Sequence, residues 1–137
     1  MNFESVKPHI TKLAEKYGLS LVVLFGSQAA GKIHVKSDID IGVSGHYPSW
    51  DVSNALPIIP IEDALSDIFK RDDVEVVDLH NISPALMRSI TEEGVAIYES
   101  GQDEFVNWKS FAIRVWMETK WLRDRQRDHL KEWAARL

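Results

Sequence analysis

The sequence predicts an α/β (α+β) protein in which helices flank a mixed β-sheet. Apolar runs of strand length alternate along the chain with segments of helical periodicity. The first two runs, residues 19–25 and 37–43, are read as strands joined by a short glycine-containing loop. Neighbouring strands joined in this way, together with strands separated by helices, give a mixed sheet with helices packed on it.

The other elements of the predicted fold follow from periodicity and from breaker residues. The first helix ends at Gly18, and Pro8 fits it only if the first regular turn starts near Ser5. The chain is irregular over residues 44–60, and Pro60 opens a second helix. A strand covers residues 73–79, Ser83 caps a helix that runs to residue 94, and residues 95–98 form the last strand. The apolar residues expected to pack from the first two helices are Phe3, Val6, Ile10, Leu13, Tyr17, Ile61, Leu65 and Ile68.

The last segment, residues 103–137, is predicted to be one long helix capped by Asp103. Trp121 lies off its apolar seam, and the net charge changes from −7 over residues 1–102 (8 Lys+Arg against 15 Asp+Glu) to +2 over residues 103–137 (8 against 6). We therefore interpret the face with Trp121 and Arg125 as a candidate docking surface, the alternative being an ordinary solvated face. The seam consists of Phe105, Trp108, Ala112, Val115, Thr119 and Leu122.

Composition limits the protein class. At 137 residues the chain is expected to form one domain, residues 1–137, and it contains no cysteine for a disulfide or a zinc site. The N-terminus lacks a signal-peptide pattern and no apolar stretch is long enough to span a bilayer, which predicts a cytoplasmic protein without a membrane partner. Because the body of the chain is acidic, a direct nucleic-acid partner is not expected.

Two short motifs carry the chemical information. Gly26 and Ser27 follow the first strand, and a Gly-Ser turn offers a phosphate unblocked backbone N–H groups and a hydroxyl donor. After ten intervening residues come Asp38 and Asp40, two carboxylates at i and i+2 that point to the same face of a strand. They repel each other unless a divalent cation lies between them, and an oxygen-only site suits Mg²⁺ completed by substrate phosphates. Together the motifs predict nucleotide chemistry.

The order of these motifs, Gly-Ser, ten residues and Asp-x-Asp, resembles the signature of the polymerase-β-type nucleotidyltransferase superfamily. In its small size the chain is similar to the minimal nucleotidyltransferase (MNT) branch of that superfamily, and the resemblance spans essentially the whole chain. It implies a nucleotidyltransferase fold, ATP as substrate and two Mg²⁺ ions held by Asp38, Asp40 and a third carboxylate. It also implies that Gly26 and Ser27 contact the β- and γ-phosphates, which leave as pyrophosphate.

The phosphate loop departs from the pattern of the resembled family. MNT sequences often read Gly-Ser-x-Ala-Arg-Gly, whereas the arginine position here is Ala30. Lys32 is the nearest substitute cation, and Ser37 is either a further phosphate-binding or metal-shell hydroxyl or a strand-start cap. The change at residue 30 weakens the expectation of full activity and leaves the metal ligands intact.

The third carboxylate has two candidates on the strand over residues 73–79. Glu75 and Asp78 lie on opposite faces of that strand, and Asp78 is alternatively a residue that caps the following turn. In the resembled family an acidic residue early on this strand completes the triad, which favours Glu75 as metal ligand and as the general base for the attacking hydroxyl.

Three functions follow from the resemblance. Stand-alone MNT proteins are typically antitoxins of HEPN-family ribonuclease toxins in type VII-like toxin–antitoxin systems, and some transfer AMP from ATP to a toxin tyrosine. This reading makes the chain a protein adenylyltransferase whose partners are a HEPN-family toxin and a nucleoside triphosphate. The alternatives are an antitoxin that acts by binding only and a small-molecule, antibiotic-modifying nucleotidyltransferase.

Overall fold

Helices flank a four-stranded mixed sheet, as predicted. The computed structural model describes residues 3–26, 38–46 and 55–137. Within them the helices are α1 (Phe3–Tyr17), α2 (Ile58–Phe69), α3 (Pro84–Glu93), α4 (Glu104–Glu118) and α5 (Lys120–Ala135). The strands are β1 (Leu19–Phe25), β2 (Ile39–Gly45), β3 (Val74–Asp78) and β4 (Val95–Glu99).

The sheet has the strand order β3-β2-β1-β4. β1 lies antiparallel to both β2 and β4, whereas β2 and β3 are parallel because α2 connects them. Successive side chains of each strand point to opposite faces of the sheet, so the sheet has one hydrophobic core on each face. The α1–α2 face buries Val22, Ile41 and Val76, and the face covered by α3 and α4 buries Val23 and Leu79.

Most predicted boundaries agree with the structure to within two residues. Gly18 ends α1 with a positive φ of 64°, and the Ser83 hydroxyl accepts a hydrogen bond of 3.1 Å from the Leu86 N–H at the start of α3. Two expectations were wrong. α1 is already helical at Phe3 and so includes Pro8 in its interior, and α2 begins at Ile58 rather than at Pro60.

The C-terminal helix is present but is interrupted at Thr119, between α4 and α5. The Thr119 hydroxyl donates to the carbonyl oxygen of Val115 at 2.7 Å, and such back-bonding bends a helix. Arg123 donates from Nη1 to the same hydroxyl at 2.8 Å, and its guanidinium lies 3.4 Å from the ring centroid of Trp116. These contacts lie at the interruption and hold the start of α5.

The predicted seam of the tail packs only in α4. Phe105, Trp108 and Ala112 are buried, whereas Leu122 in α5 is 41% exposed. The predicted cap is also wrong in its chemistry, because Asp103 lies at the N-cap position with a positive φ and its side chain makes no capping bond. The carboxylate of Glu99 instead accepts a 2.9 Å hydrogen bond from the Phe105 N–H.

No helix in the described parts of the chain is long and apolar enough to cross a membrane.

Candidate active site at the end of the sheet

The turn after β1 lies directly against β2. Gly26 follows the last residue of β1 and has a φ of 78°, a conformation that a side chain disfavours. A Cβ at this position would overlap Oδ2 of Asp40. Glycine is therefore favoured by its backbone conformation, and any side chain here would also displace the Asp40 carboxylate. The turn and the second aspartate of the Asp-x-Asp motif are in contact, as the sequence predicts for one site.

The strand register brings Glu75 beside Asp40. The two residues are partners in the parallel pairing of β2 with β3, and neighbouring strands lie about 4.8 Å apart. Ile39 and Ile41 point into the α1–α2 core, as do Val74 and Val76, so alternation directs both carboxylates to the opposite face. Asp38 is exposed and immediately precedes β2, two residues from Asp40.

The three carboxylates repel one another. The pKa of Asp40 is raised above its ordinary value, first by partial burial and then by the negative charges of Glu75 and Asp38. An anion in this position is destabilised in the absence of a compensating cation. Among the described residues, no three carboxylate or imidazole groups are already placed to hold one metal ion together. The cluster thus has the charge and the oxygen donors of a cation site, with side chains that would have to turn toward the ion.

Asp78 is separated from this cluster. It pairs with Val43 near the far end of β2, three residues along β3 from Glu75, which corresponds to about 10 Å. Its Oδ1 accepts a 3.0 Å hydrogen bond from the backbone N–H of His80, the contact expected of a turn cap. Of the two candidates for the third carboxylate, Glu75 is therefore the one that lies beside Asp40.

One cation near the site was missed by sequence reasoning. Arg71 precedes β3 and donates from Nε to Oδ1 of Asp73 at 2.7 Å, with a second contact from Nη2 to Oδ2. Its pKa is raised first by this hydrogen bonding and, more weakly, by the charges of Asp73, Asp38 and Asp72. Arg71 therefore lies within electrostatic reach of Asp38. Nothing in its local sequence distinguishes it from a surface arginine.

Three further residues predicted for the site, Ser27, Lys32 and Ser37, lie outside the described residues, as does Ala30.

Replacing Gly26 by alanine should disable the site. The substitution strains the backbone by about 1–2 kcal/mol and also displaces the Asp40 carboxylate. We expect loss of activity together with a lower midpoint in urea unfolding. Gly18→Ala is the matched control, since Gly18 also has a positive φ but a Cβ there meets no atom within 4 Å. A Gly26→Ala variant that is as active as Gly18→Ala would contradict the close contact with Asp40.

A glycine turn against clustered carboxylates at the end of a mixed sheet is an arrangement suited to phosphates and divalent cations. The chain belongs to the polymerase beta nucleotidyltransferase family, whose model matches residues 9–103. The predicted resemblance to the nucleotidyltransferase superfamily is thereby confirmed. The match covers the sheet and the residues Gly26, Asp38, Asp40 and Glu75, and it ends at the start of the C-terminal helices.

Two relatives are similar in sequence. The protein adenylyltransferase MntA of Aphanizomenon flos-aquae is 34% identical over 92 residues, which cover 64% of this chain and 61% of that protein. This chain therefore matches somewhat less than two thirds of the length of that relative. A putative protein adenylyltransferase of Methanocaldococcus jannaschii is 32% identical over 96 residues, covering 69% of this chain and 92% of that protein.

Solved structures share the fold beyond the family match. A toxin–antitoxin crystal structure with AMP-PNP contains a chain with a TM-score of 0.70 and 24% identity, covering 91% of this chain and 98% of that one. The complex of a tri-AMPylated Shewanella oneidensis HEPN toxin with its MNT antitoxin gives a TM-score of 0.67 at 21% identity, covering 95% and 99%. The predicted nucleotidyltransferase fold is confirmed by these likenesses.

Proposed function

We propose that this chain is a protein adenylyltransferase that transfers AMP from ATP to a hydroxyl of a partner protein. The observation that carries the proposal is the placement of Asp40 against the Gly26 turn, with Glu75 beside Asp40 in the sheet. The name of the Aphanizomenon flos-aquae relative, a protein adenylyltransferase, supports the choice of AMP and of a protein acceptor. The bound AMP-PNP of a structural neighbour supports ATP as the donor.

The donor set suits magnesium. Asp38, Asp40 and Glu75 supply only carboxylate oxygens, which Mg²⁺ prefers. The pKa of Asp40 is raised first by burial and then by the neighbouring negative charges, whose repulsion a cation would relieve. We assign these three residues as ligands of two Mg²⁺ ions. When bound, the ions would neutralise charge on the triphosphate.

The remaining residues bind phosphate and move a proton. The Gly26 backbone, the Ser27 hydroxyl and Lys32 would hold the β- and γ-phosphates, with Ser37 as a further hydroxyl. The acceptor oxygen attacks the α-phosphorus, the bond to the β-phosphate breaks and pyrophosphate leaves. The proton of the acceptor hydroxyl passes to Glu75, which lies on the carboxylate face of β3.

The partner we propose is a HEPN-family ribonuclease toxin, with a tyrosine hydroxyl as acceptor. Structural neighbours of this chain were solved in toxin–antitoxin complexes, one of them with an AMPylated HEPN toxin. Adenylylation of the toxin would make this chain the antitoxin of a type VII-like system. A reaction that consumes ATP and uses Mg²⁺ as a cofactor fits the cytoplasmic location expected from the sequence.

The proposal is tested by co-expressing the chain with the product of the neighbouring gene. The complex is purified and incubated with ATP and Mg²⁺, and the intact mass of each chain is measured. Added AMP masses on a partner tyrosine support the proposal. A stable complex without added mass would replace it by binding-only neutralisation, and transfer to small molecules without any partner would replace it by antibiotic modification.

Ser27→Ala tests the phosphate turn. A hydroxyl that donates to a charged phosphate contributes about 1.5–3 kcal/mol, so the variant should bind ATP roughly 10- to 150-fold more weakly. Isothermal titration with a non-hydrolysable ATP analogue and Mg²⁺ measures the change directly. Ser83→Ala is the control, because its hydroxyl caps α3 and should affect stability without affecting ATP. An unchanged affinity for the analogue would make the Gly26–Ser27 turn structural only.

A further inference from the structure

The helix α5 packs little of its surface on the rest of the chain. None of its 16 residues, Lys120–Ala135, is buried, and the structure describes all of them. Its start is held by the Arg123 contacts to Thr119 and Trp116. Most of the stability of helices in proteins comes from packing of an apolar face, so a helix without a buried residue gains stability when something covers it.

One face of α5 carries three large apolar side chains. Leu122, Leu130 and Trp133, with Gln126 between them, recur at spacings of four, four and three residues and therefore form a single stripe. We call these four residues the α5 stripe. Leu122 is 41% exposed, Leu130 65% and Trp133 62%. The side chains that a helix normally buries are thus presented to solvent.

Charges on α5 are sorted around the stripe. At 100° per residue, Arg125 flanks it on one side and Arg123 and Arg127 on the other. The three carboxylates of the helix, Asp124, Asp128 and Glu132, recur at a spacing of four residues. Asp124 and Asp128 lie on the opposite face, whereas Glu132 lies only about 20° beyond Arg125. Asp124 also pairs with Arg127. The α5 stripe therefore has arginine on both borders, with the carboxylates behind the arginines.

We propose that the α5 stripe docks into an apolar groove rimmed by carboxylates on the partner protein, with Trp133, at the C-terminal end of the stripe, as its aromatic anchor. The inference deepens the proposed function and rests on it for the identity of the partner, the HEPN-family toxin. Apolar side chains at helical spacing that enter a groove are a recurrent mode of recognition, and tryptophan is enriched among the few residues that carry most of the binding free energy. Arg125 would meet the acidic rim and guide association, whereas Arg123 stacks on Trp116 and Arg127 pairs with Asp124 within the chain.

Charge complementarity favours this occupant over a second copy of the chain. Two copies that met stripe to stripe would bring the arginine borders of both helices together, and like charges across such a seam are repulsive. A membrane surface fits less well, because the acidic face of α5 and the net charge of −5 oppose binding to anionic lipids.

The structure changes which tryptophan we expect to matter. The sequence suggested Trp121 with Arg125, but Trp121 lies about 120° around the helix from Trp133 and between Asp128 and Glu132. Trp121 and Trp133 are almost equally exposed, at 63% and 62%. They differ mainly in the face that they occupy, which makes them a matched pair for an experiment.

The test compares Trp133→Ala with Trp121→Ala in the full chain. Binding of the purified product of the neighbouring gene is measured by biolayer interferometry, and helix content by circular dichroism. We expect Trp133→Ala to weaken the dissociation constant at least about 30-fold and Trp121→Ala to change it less than about threefold. Leu130→Asp, a second change on the α5 stripe, should abolish the complex. Adenylylation of free peptide acceptors should be unchanged in all three variants.

Each outcome of this test distinguishes the docking proposal from an alternative. Equal binding by wild type and Trp133→Ala, or a loss confined to Trp121→Ala, overturns the docking face and leaves the proposed function intact. Failure of the wild type to bind or modify the partner overturns the proposed function itself, and the docking proposal with it. Stripe-dependent dimerisation of the chain alone, or stripe-dependent binding to anionic vesicles with none to the partner, would replace the proposed occupant.

Discussion

Asp40→Asn is expected to abolish nucleotidyl transfer and, in the absence of metal, to stabilise the folded protein at neutral pH. Asp40 is the central carboxylate of the cluster, since it is paired with Glu75 in the sheet, lies two residues from Asp38 and contacts the Gly26 turn. Mutation of a residue that only supports a metal ligand typically lowers metal affinity or activity about 10- to 100-fold. Removing a ligand itself should therefore lower kcat more than about 100-fold.

The stabilisation follows from the sign of the pKa shift. Burial and the charges of Glu75 and Asp38 raise the pKa of Asp40 in the folded protein above its unfolded value. The folded state therefore binds the proton more tightly, and the free energy of unfolding falls as the pH rises through the folded pKa. At neutral pH this loss of unfolding free energy is complete in the wild type. The asparagine variant, which has no carboxyl group at residue 40, does not undergo it. The difference should disappear when the pH is lowered below the unfolded pKa of Asp40.

Thermal unfolding with and without Mg²⁺ provides a second test of the metal site. Mg²⁺ should raise the melting temperature of the wild type, because an ion that binds only the folded state stabilises it by mass action, and should have little effect on Asp40→Asn. Asp38→Asn should also lose transfer activity, but with a smaller gain in metal-free stability, since Asp38 is exposed to solvent. Full transfer activity in both variants would contradict the assignment of a metal site.

Local signals in the sequence predicted the elements of the sheet and of the first three helices. Gly18 ends α1 and Ser83 caps α3 because both act through their own backbone neighbourhood, which the sequence displays directly. The motif Asp38-Ile39-Asp40 could likewise be placed on one strand face from its spacing alone. What the spacing could not provide is the neighbour of Asp40, because the pairing with Glu75 depends on a parallel register between strands that are far apart in sequence.

The interruption of the C-terminal helix at Thr119 shows a second limit of prediction from the sequence. Helical periodicity continues through Val115, Thr119 and Leu122, so the pattern predicts one helix. The interruption arises from the hydroxyl of Thr119 and from the stacking of Arg123 on Trp116, which compete with a straight helix by small energies. Periodicity reports which residues share a face of a regular helix. It contains no information about where side-chain contacts end that helix.

Glu75→Gln is expected to lower kcat by about 100- to 10,000-fold, the usual contribution of a general base, with a much smaller change in the affinity for ATP. Glu75 has the position that this role requires, because it lies beside Asp40 on the same face of the sheet. The amide of glutamine retains a ligand oxygen but accepts a proton poorly. Single-turnover kinetics with the partner protein should show the loss in the transfer step, and titration with a non-hydrolysable analogue should show near-normal binding.

Asp78→Asn is the control for that measurement. Asp78 carries the same charge on the same strand, but its side chain caps the turn at His80 and lies on the other face of β3 from Glu75. We expect the variant to lose some stability and to keep most of its transfer activity, because an asparagine side-chain oxygen can still accept from the His80 N–H. If Asp78→Asn instead removed activity while Glu75→Gln retained it, the proton would be accepted on the opposite face of β3. Glu75 would then not be the third carboxylate of the site around Asp40.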